Sequence, residues 1–234
     1  MIKLFVFVRA APGLAPEAFW RAWGAAFADL LATGPGRMAG RAIENRAVTE
    51  AGPPELPLSQ FDGAYELWFD DLAPVEAVLA DSRCRECLEK QAVGVTEPAS
   101  TLILVAQEAV VFDRGFGAVK FMGLSRRAAT FTTREDWVRY WVEVHGPLAH
   151  EIPEFTRYYG RYVHNYVIGC AGATDGLAPR FDGIVEECVE SVDSFARCLS
   201  EPKYLEIVRP DEQRFVDFER SHMLLVREHE ILER

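Results

Sequence analysis

The stretch "RMAGRAIENRAV" at residues 37–48 decides the fold, because the chain repeats it as "RYYGRYVHNYV" at residues 157–167. Both copies follow the pattern R-x-x-G-R-x-x-x-N, and the second begins 120 residues, about half the chain length, after the first. Each copy reads as a β-strand, but only the second carries tyrosines and a histidine. A chain that contains the same strand twice is expected to contain a duplicated structural unit.

Three further pairs of blocks repeat in the same order with a nearly constant offset. They are "IKLF" and "VKFM" at residues 2–5 and 119–122, "FDGAYELWF" and "FDGIVEECV" at residues 61–69 and 181–189, and "LVAQE" and "LVREH" at residues 104–108 and 225–229. We therefore predict an internal duplication. Half one comprises residues 1–114 and half two residues 115–234, joined through "FDRGFG" at residues 112–117.

Each half is predicted to form a strand, a helix, two strands, a second helix and a final strand. The first helix of half one spans about residues 16–32, and its counterpart in half two starts after Thr132 or Thr133, either of which can be the N-cap. Both helices have one apolar face, formed by Phe19, Trp20, Trp23, Phe27, Leu30 and Leu31 in half one and by Trp137, Tyr140, Trp141, Val144 and Leu148 in half two. The second helices are predicted at about residues 74–92 and 192–208.

The element order βαββαβ is that of the ferredoxin-like unit. Its sheet has one face covered by helices and one open face, which must be buried against another layer. Two such units on one chain can bury these open faces against each other. The predicted fold class is therefore α+β, with two tandem ferredoxin-like βαββαβ halves that form an intramolecular dimeric α+β barrel.

Composition restricts the partners. The 234 residues carry a formal net charge of −11 and no run of Lys and Arg, which argues against a nucleic-acid partner. The apolar stretch before Arg9 is too short for a signal sequence or a membrane span, so we expect no membrane partner and a cytoplasmic location. Five cysteines, an odd number, favour reduced thiols. A small-molecule substrate is the expected partner, and a homodimer of the duplicated chain remains open.

Sequence motifs for cofactors and metals are absent. The C-x-x-C motif at Cys84 and Cys87 has no second half-site, and it lies within a predicted helix rather than at a helix N-terminus. Neither zinc binding nor thioredoxin-like chemistry is therefore predicted. The sequence has no G-x-G-x-x-G, P-loop or G-x-S-x-G motif. We predict no cofactor and no metal.

Half two also resembles a known family. The segments "YWVEVHGPLAHEIPEFTRYYGRYVHN" at residues 140–165, "FDGIVE" at residues 181–186 and "DEQRFVD" at residues 211–217 are similar to the EthD family of dimeric α+β barrel proteins. Half one shares only R-x-x-G-R, F-D-G and the apolar helix face. It has "WGAAFADLLA" where half two has "WVEVHGPLAH", and "VGVTEPAST" where half two has "RPDEQRFVD". A site is therefore expected in half two only.

The resemblance implies a cofactor-free protein that acts on small, often aromatic or polyketide-like molecules. Similar barrels include cyclases, isomerases, dehydratases, decarboxylases and quinone-forming monooxygenases, while others are accessory proteins of catabolism. Their ligand usually lies between the helices and one face of the sheet. The resemblance does not fix a reaction, because one fold supports many, and the chemistry has to be argued from the residues.

His145 is the first candidate for acid/base chemistry. It lies four residues after Trp141, at the edge of the apolar helix face, just before Gly146 and Pro147. It also matches the H-G-P-L-A motif of the family. An imidazole there would face the cleft and could move a proton near neutral pH. The alternative is a hydrogen-bonded structural histidine.

The repeated strand of half two carries three candidate site residues on one face: Tyr162, His164 and Tyr166. Half one has different residues at these positions: Ala42, Glu44 and Arg46. The opposite face is shared by the halves, since Arg161 and Asn165 are retained as Arg41 and Asn45. The shared face predicts a structural role such as ion pairing across the barrel. The Tyr-His-Tyr face is a second candidate site, with an aromatic core strand as the alternative.

Three acidic residues of half two, Asp182, Glu186 and Asp211, are further candidates. Asp182 and Glu186 are retained in half one as Asp62 and Glu66, which favours structural pairing with the duplicated arginines over a paired-carboxylate site. Asp211 has no equivalent in half one. It could polarise an imidazole, accept a substrate proton or cap the helical turn that follows it, and capping is the preferred interpretation.

Three functional hypotheses result. The first is an enzyme of the lyase, dehydratase, isomerase or cyclase type that uses acid/base chemistry on an apolar, aromatic or polyketide-like metabolite. Its expected site residues are His145, His164 and Asp211 for catalysis and Trp137, Trp141, Tyr162 and Tyr166 for substrate binding. The second is a cofactor-free monooxygenase on a phenolic substrate. The third is a non-catalytic ligand-binding or scaffold protein, which side chains filling the half-two pocket would indicate.

Overall fold

The computed structural model describes residues 1–48, 61–90, 94–97, 100–172 and 181–233. Within these ranges the chain forms eight strands: β1 (Ile2–Val8), β2 (Arg41–Ala47), β3 (Gly63–Phe69), β4 (Leu102–Asp113), β5 (Val119–Ser125), β6 (Tyr159–Gly172), β7 (Gly183–Val189) and β8 (His222–Glu233). All neighbouring strands pair antiparallel, and they close into one barrel in the order β1-β3-β2-β8-β5-β7-β6-β4.

The strand order keeps the two repeats side by side in the barrel. Strands β1 to β4 are neighbours on one side, β5 to β8 are neighbours on the other, and the pairs β2–β8 and β4–β6 join them. Apolar side chains from both repeats, among them Phe5, Phe7 and Met122, pack in one shared cluster. The open sheet faces are thereby buried, which confirms the predicted α+β barrel of two ferredoxin-like units.

Helices cover the outer face of the barrel. They are α1 (Pro16–Ala32), α2 (Leu72–Ala80), α3 (Ser82–Arg85), α4 (Arg134–Tyr140), α5 (Gly146–His150), α6 (Pro153–Thr156), α7 (Val192–Leu199) and α8 (Arg209–Phe215). A 3₁₀ turn lies at Gly34–Met38, and π-helical turns lie at Glu86–Lys90, Trp141–His145 and Tyr204–Val208. Of the two candidate N-caps for α4, Thr133 is the one used, because its hydroxyl accepts from the Asp136 amide at 3.1 Å.

The second helix of each half is broken, where the sequence predicted one continuous helix. In half one, α2 ends at Ala80, and Asp81 caps α3 by accepting from the Cys84 amide at 2.8 Å. In half two, α7 ends at Leu199, and a new helical segment begins at Pro202 and continues into α8. Proline has no amide hydrogen to continue a helix but suits the first turn of the next one.

Strand register corrects one of the repeat alignments. Lys3 on β1 lies opposite Ala106 on β4, and its counterpart Lys120 on β5 lies opposite Val226 on β8. Glu108 is therefore equivalent to Glu228, and "LVAQE" aligns with "LLVRE" at residues 224–228, one residue earlier than predicted. The error matters because a slip of one residue moves every side chain to the other face of the sheet.

Two fully buried lysines hold the two repeats together inside the barrel. Lys3 Nζ lies 3.1 Å from Glu66, 2.8 Å from Glu186 and 2.9 Å from Glu108. Lys120 pairs with Glu66 and lies 2.7 Å from Glu228. Burial lowers the pKa of Lys3, but the surrounding glutamates outweigh it and hold that pKa above its ordinary value, so the lysine stays charged. Sequence reasoning missed both lysines, although each lies within a repeated block.

Residues shared by the repeats bond to one another and to the backbone, but the predicted pairing of the carboxylates with the duplicated arginines is only a minor part of these contacts. Asn45 and Asn165 donate to Glu66 and Glu186 at 2.8 Å and 3.0 Å, respectively. Arg161 lies 3.6 Å from Glu186. The carboxylates therefore pair mainly with lysines rather than with the duplicated arginines. Two further shared residues, Asp62 and Asp182, accept from the backbone amides of Ala10 and Arg127, which are equivalent positions just after β1 and β5.

Candidate active site

A cavity of about 660 Å³, including its open mouth, lies between the sheet and the helices of half two. Its lining includes aromatic and ionisable side chains from both layers: Trp141, His145, Tyr162, Glu187, Tyr204 and Phe215. For a scaffold protein we expected side chains to fill the half-two pocket. The described residues leave this pocket open. The cavity lies where the family resemblance implied a ligand.

A π-helical turn and a glycine position His145. Pro147 cannot donate a backbone hydrogen bond, and the Gly146 amide reaches back five residues to the Trp141 carbonyl. A Cβ on Gly146 would lie 3.0 Å from that carbonyl oxygen and 3.3 Å from His164 Cε1, so the close approach requires glycine. The turn ends at His145, which is 5% exposed and lines the cavity.

His145 is bonded to a carboxylate through one of its ring nitrogens. Its Nδ1 lies 2.9 Å from Asp211 Oδ2. A carboxylate only accepts hydrogen bonds, so Nδ1 carries the proton in the neutral imidazole and Nε2 has the free lone pair. Because the ring lines the cavity, this lone pair is available to a bound molecule. The arrangement is that of a general base oriented by an acid.

Asp211 does not cap a helix, and the preferred interpretation from the sequence was wrong. The helical segment starts upstream at Pro202, so Asp211 lies inside it, and its carboxylate is used elsewhere. Oδ2 contacts His145, and Oδ1 accepts from the Tyr140 hydroxyl at 2.5 Å. Burial alone would raise the pKa of Asp211. The hydrogen bonds from His145 and Tyr140 lower this pKa by more than burial raises it, so the net pKa is below its ordinary value. Asp211 is therefore ionised at neutral pH.

Glu187 is a second acidic group in the cavity, and sequence reasoning missed it. It follows Glu186 on β7, and the alternation of side chains along a strand places Glu186 in the barrel and Glu187 toward the helices. Burial, with a smaller contribution from Glu212, raises the pKa of Glu187 to about 8. Aligning the repeats could have revealed it, because half one has Leu67 at the equivalent position.

Glu212 and Arg209 form a polar group on α8 at the same cavity. Glu212 Oε2 accepts from the Tyr204 hydroxyl at 2.9 Å and from Arg209 at 3.2 Å. Burial raises the pKa of Glu212, although His145, Tyr204 and Arg209 oppose that effect. The helix that carries Asp211 therefore also contributes a second carboxyl group and a guanidinium to the lining.

The structure separates the site residues predicted from the repeated strand. Tyr162 lines the cavity, whereas His164 lies behind Trp141, with the ring centroids 4.4 Å apart. His164 Nδ1 lies 3.2 Å from the Tyr166 hydroxyl, and Nε2 has no hydrogen-bond partner among the described residues. Burial, helped by His145 and His150, lowers the pKa of His164 to about 3, so this imidazole is neutral.

The two tryptophans predicted to bind substrate occupy different positions. Trp141 lines the cavity, while Trp137 is fully buried and donates from Nε1 to the Phe215 carbonyl at 2.7 Å. Tyr166 packs edge-on against Trp141 and is not part of the lining. The structure thus brings His145, Asp211, Trp141 and Tyr162 together, and it places the other predicted residues in the layer behind them.

The two cysteines of the C-x-x-C motif lie far from this cavity in sequence and structure. Cys84 lies in α3 and Cys87 in the following π-helical turn, both buried in the core of half one. Burial raises the pKa of both thiols. Among the residues that the structure describes, no group of three or more His, Cys, Asp or Glu side chains is placed to hold a metal ion.

Fold and cavity together define a dimeric α+β barrel protein whose two repeats lie on one chain and whose second repeat carries a cavity between sheet and helices. The chain belongs to the EthD domain family, because the family model matches residues 11–93 and 130–219, which is about three quarters of its length. Both repeats are matched, including the half-one segment that kept few of the motifs. No curated protein matches the sequence.

Solved structures with the same fold cover nearly the whole chain. An anthrone oxidase-like protein aligns with a TM-score of 0.61 at 8% identity, over 98% of this chain and 92% of the other. A candidate monooxygenase from Lactobacillus acidophilus NCFM aligns with a TM-score of 0.54 at 9% identity, over 99% and 96%. A mutant chlorite dismutase from Candidatus Nitrospira defluvii aligns with a TM-score of 0.55 at 10% identity, over 97% and 91%. At such identities the similarity shows the fold alone.

The helices in the described part of the chain are too short or too polar to cross a membrane.

Proposed function

We propose that this protein is an acid/base enzyme that removes a proton from an apolar, enolisable or phenolic small molecule bound in the half-two cavity. One observation carries the proposal. His145 lines the cavity and is held by the buried Asp211 carboxylate at 2.9 Å, in the geometry of an oriented general base.

The roles of the residues follow from their contacts. His145 Nε2 accepts the substrate proton, and Asp211 keeps the ring in the required tautomer and stabilises the imidazolium that forms. Tyr140 fixes the second oxygen of Asp211. The rings of Trp141, Tyr162 and Phe215 supply flat apolar walls against which a planar substrate can pack.

Proton removal next to a carbonyl, or from a phenol, is the first step of several reactions. The resulting enolate or phenolate can take the proton back at another atom, expel a β-substituent or attack a second carbonyl within the same molecule. These outcomes are isomerisation, elimination and cyclisation. Which one occurs depends on the substrate, and the shared first step is the part that His145 and Asp211 support.

The test measures that first step directly. 1-Tetralone exchanges the hydrogens on carbon 2 for deuterium when its enolate forms in D₂O, and proton NMR follows the loss of signal. We expect the wild-type protein to accelerate exchange over buffer and His145→Gln to lower the rate by ~10²–10⁴. The matched control is His150→Gln, which changes an exposed histidine one helix further on. Equal rates for wild type and His145→Gln would contradict the proposal.

A second candidate, a cofactor-free monooxygenase, is supported by the names of two neighbours in fold, an anthrone oxidase-like protein and a candidate monooxygenase. The same base would deprotonate an anthrone, and the anthrolate would react with O₂ to give an anthraquinone and water. An oxygen electrode decides between the two. Consumption of one O₂ for each anthrone converted supports the second candidate. If the protein exchanges deuterium into 1-tetralone but consumes no O₂ in the presence of anthrone, the second candidate is rejected.

A further inference from the structure

We infer that Glu187 forms a hydrogen-donating subsite for a carbonyl oxygen in the half-two cavity, and that ketones are therefore the substrate class. The inference rests on the proposed function, because it supplies the group that stabilises the oxyanion when His145 removes a proton. It goes beyond that function by naming the second polar contact of the substrate.

Glu187 on β7 presents its carboxyl group to the cavity. The residue lines the cavity and is 9% exposed. It lies opposite Phe121 on β5 and Tyr162 on β6, which are also part of the lining. The sheet therefore holds the carboxyl group at the cavity surface, where a ligand can reach it.

Glu187 has no cation beside it among the described residues, in contrast to its neighbour in sequence. Glu186 faces Lys3 at 2.8 Å and Arg161 at 3.6 Å. Apart from Glu187, the titratable and charged side chains that line the cavity are Glu212, Arg209, His145, His222, Tyr159, Tyr162 and Tyr204. Arg209 is bonded to Glu212. A carboxyl group that is 9% exposed and lacks a counter-ion is more stable when protonated.

The raised pKa of about 8 agrees with this geometry, since burial and then Glu212 both favour the neutral form of Glu187. At pH 7 the group keeps its proton and can donate it to an acceptor oxygen. Such a donor stabilises negative charge as it develops on a carbonyl oxygen. Glu187 is then the acid and His145 the base of one cavity.

Comparison with half one shows that the barrel does not need an acid at this position. Leu67 on β3 is the equivalent of Glu187 on β7, because it lies opposite Ala42 on β2 as Glu187 lies opposite Tyr162 on β6. A buried carboxyl group costs stability where a leucine would add it. The acid is therefore best explained by a ligand. In its protonated form it would donate a hydrogen bond to the oxygen of a ketone.

The test uses a pair of probes that differ only in the carbonyl group, 1-tetralone and tetralin. Calorimetry gives both affinities for wild type, Glu187→Gln and Glu187→Leu at pH 6.5 and pH 9. We expect wild type to prefer 1-tetralone roughly tenfold at pH 6.5. The preference should disappear in Glu187→Leu. It should persist in Glu187→Gln, whose amide also donates a hydrogen bond.

The pH dependence distinguishes hydrogen-bond donation by Glu187 from an effect of the shape of its side chain. The neutral form of Glu187 is lost as the pH rises through about 8, so the wild-type preference should be lost at pH 9 while that of Glu187→Gln is unchanged. A wild type without any preference for 1-tetralone would overturn the inference. So would a preference that survives in Glu187→Leu with its fold confirmed by circular dichroism.

The two proposals can fail separately. If the carbonyl preference depends on Glu187 but His145→Gln exchanges deuterium as fast as wild type, the proposed base is wrong and the subsite stands. If exchange depends on His145 but the probes bind equally well, the subsite is wrong and the base stands.

Discussion

The two halves of the barrel share a framework and differ in what fills the space between sheet and helices. In half one, Tyr65 stacks on Phe27 with ring centroids 3.6 Å apart and donates to Glu44. In half two, Val185 takes the place of Tyr65, and Gly123 takes the place of Val6. Large side chains thus fill the outer space of half one, and smaller ones open a cavity in half two.

This difference shows how the duplication divides two tasks. The lysines, glutamates and asparagines inside the barrel are common to both repeats and bind them to each other. The layer under the helices is free to differ. Half one fills that layer with a hydrophobic core, whereas half two has a cavity there, which we propose binds a small molecule. Each of the following substitutions tests one part of this division.

The largest effect is expected in the part that the halves share. Lys3→Met removes the charge that faces Glu66, Glu108 and Glu186, and it leaves buried carboxylates without a partner. We expect the free energy of unfolding to fall by about 3–5 kcal/mol, measured by urea denaturation. Lys203→Met, at an exposed position, is the control. A loss as small as that of the control would show that the interior ion pairs do not hold the halves together.

The next effect sharpens the contrast between the two outer layers. Val185→Tyr introduces the half-one residue into half two, where the larger ring should occupy the cavity. We expect the affinity for 1-tetralone to fall at least tenfold, by calorimetry, while the protein stays folded. The reciprocal control, Tyr65→Val, should cost about 2–4 kcal/mol of stability and leave 1-tetralone binding unchanged. Unchanged binding by Val185→Tyr would mean that the probe binds elsewhere.

The smallest effect concerns the support of the base. Tyr140→Phe removes a hydrogen bond that lowers the pKa of Asp211, so this pKa should rise. Asp211 then becomes protonated at a higher pH, and the exchange rate of 1-tetralone should fall a few-fold, more strongly toward acid. Tyr158→Phe removes a similar bond, 2.6 Å to Glu201, outside the cavity. If both variants show the same pH profile as wild type, Tyr140 does not tune the dyad.

The fold could be predicted because duplication leaves a record in the sequence. Paired blocks gave the element order, and the element order gave the barrel. The register of the last strand could not be predicted, because "LVAQE" can be aligned with residues 224–228 or with residues 225–229. Only the strand pairing of the lysines in β1 and β5 decides between these two alignments. The breaks in the second helices were not predicted, because the predicted helices included Asp81 and Pro202 as interior positions. In the structure a new helical segment starts at each of these residues.

The site could be predicted only in part. His145 was found because a motif and a helix position coincide there. Its partner Asp211 lies 66 residues away, and no sequence pattern favours this contact over a helix cap. Alternation along the strand predicted that Tyr162 and His164 share a face, but not that Trp141 would cover His164. Glu187 is neither shared by the repeats nor part of a motif, so only its alignment with Leu67 distinguishes it.

The strand β7 carries a consequence for how this protein can acquire new activities. Gly183, Val185 and Glu187 face the helices and the cavity, while Ile184 and Glu186 between them face the barrel interior. Gly183 has to stay a glycine, because a Cβ there would overlap the Trp141 ring. Val185 and Glu187 line the cavity and can be changed while the ion pairs of the interior stay intact. Directed evolution of this barrel should therefore randomise residues 185 and 187 and leave residues 183, 184 and 186 fixed, because the alternation makes the lining and the framework separately adjustable within one strand.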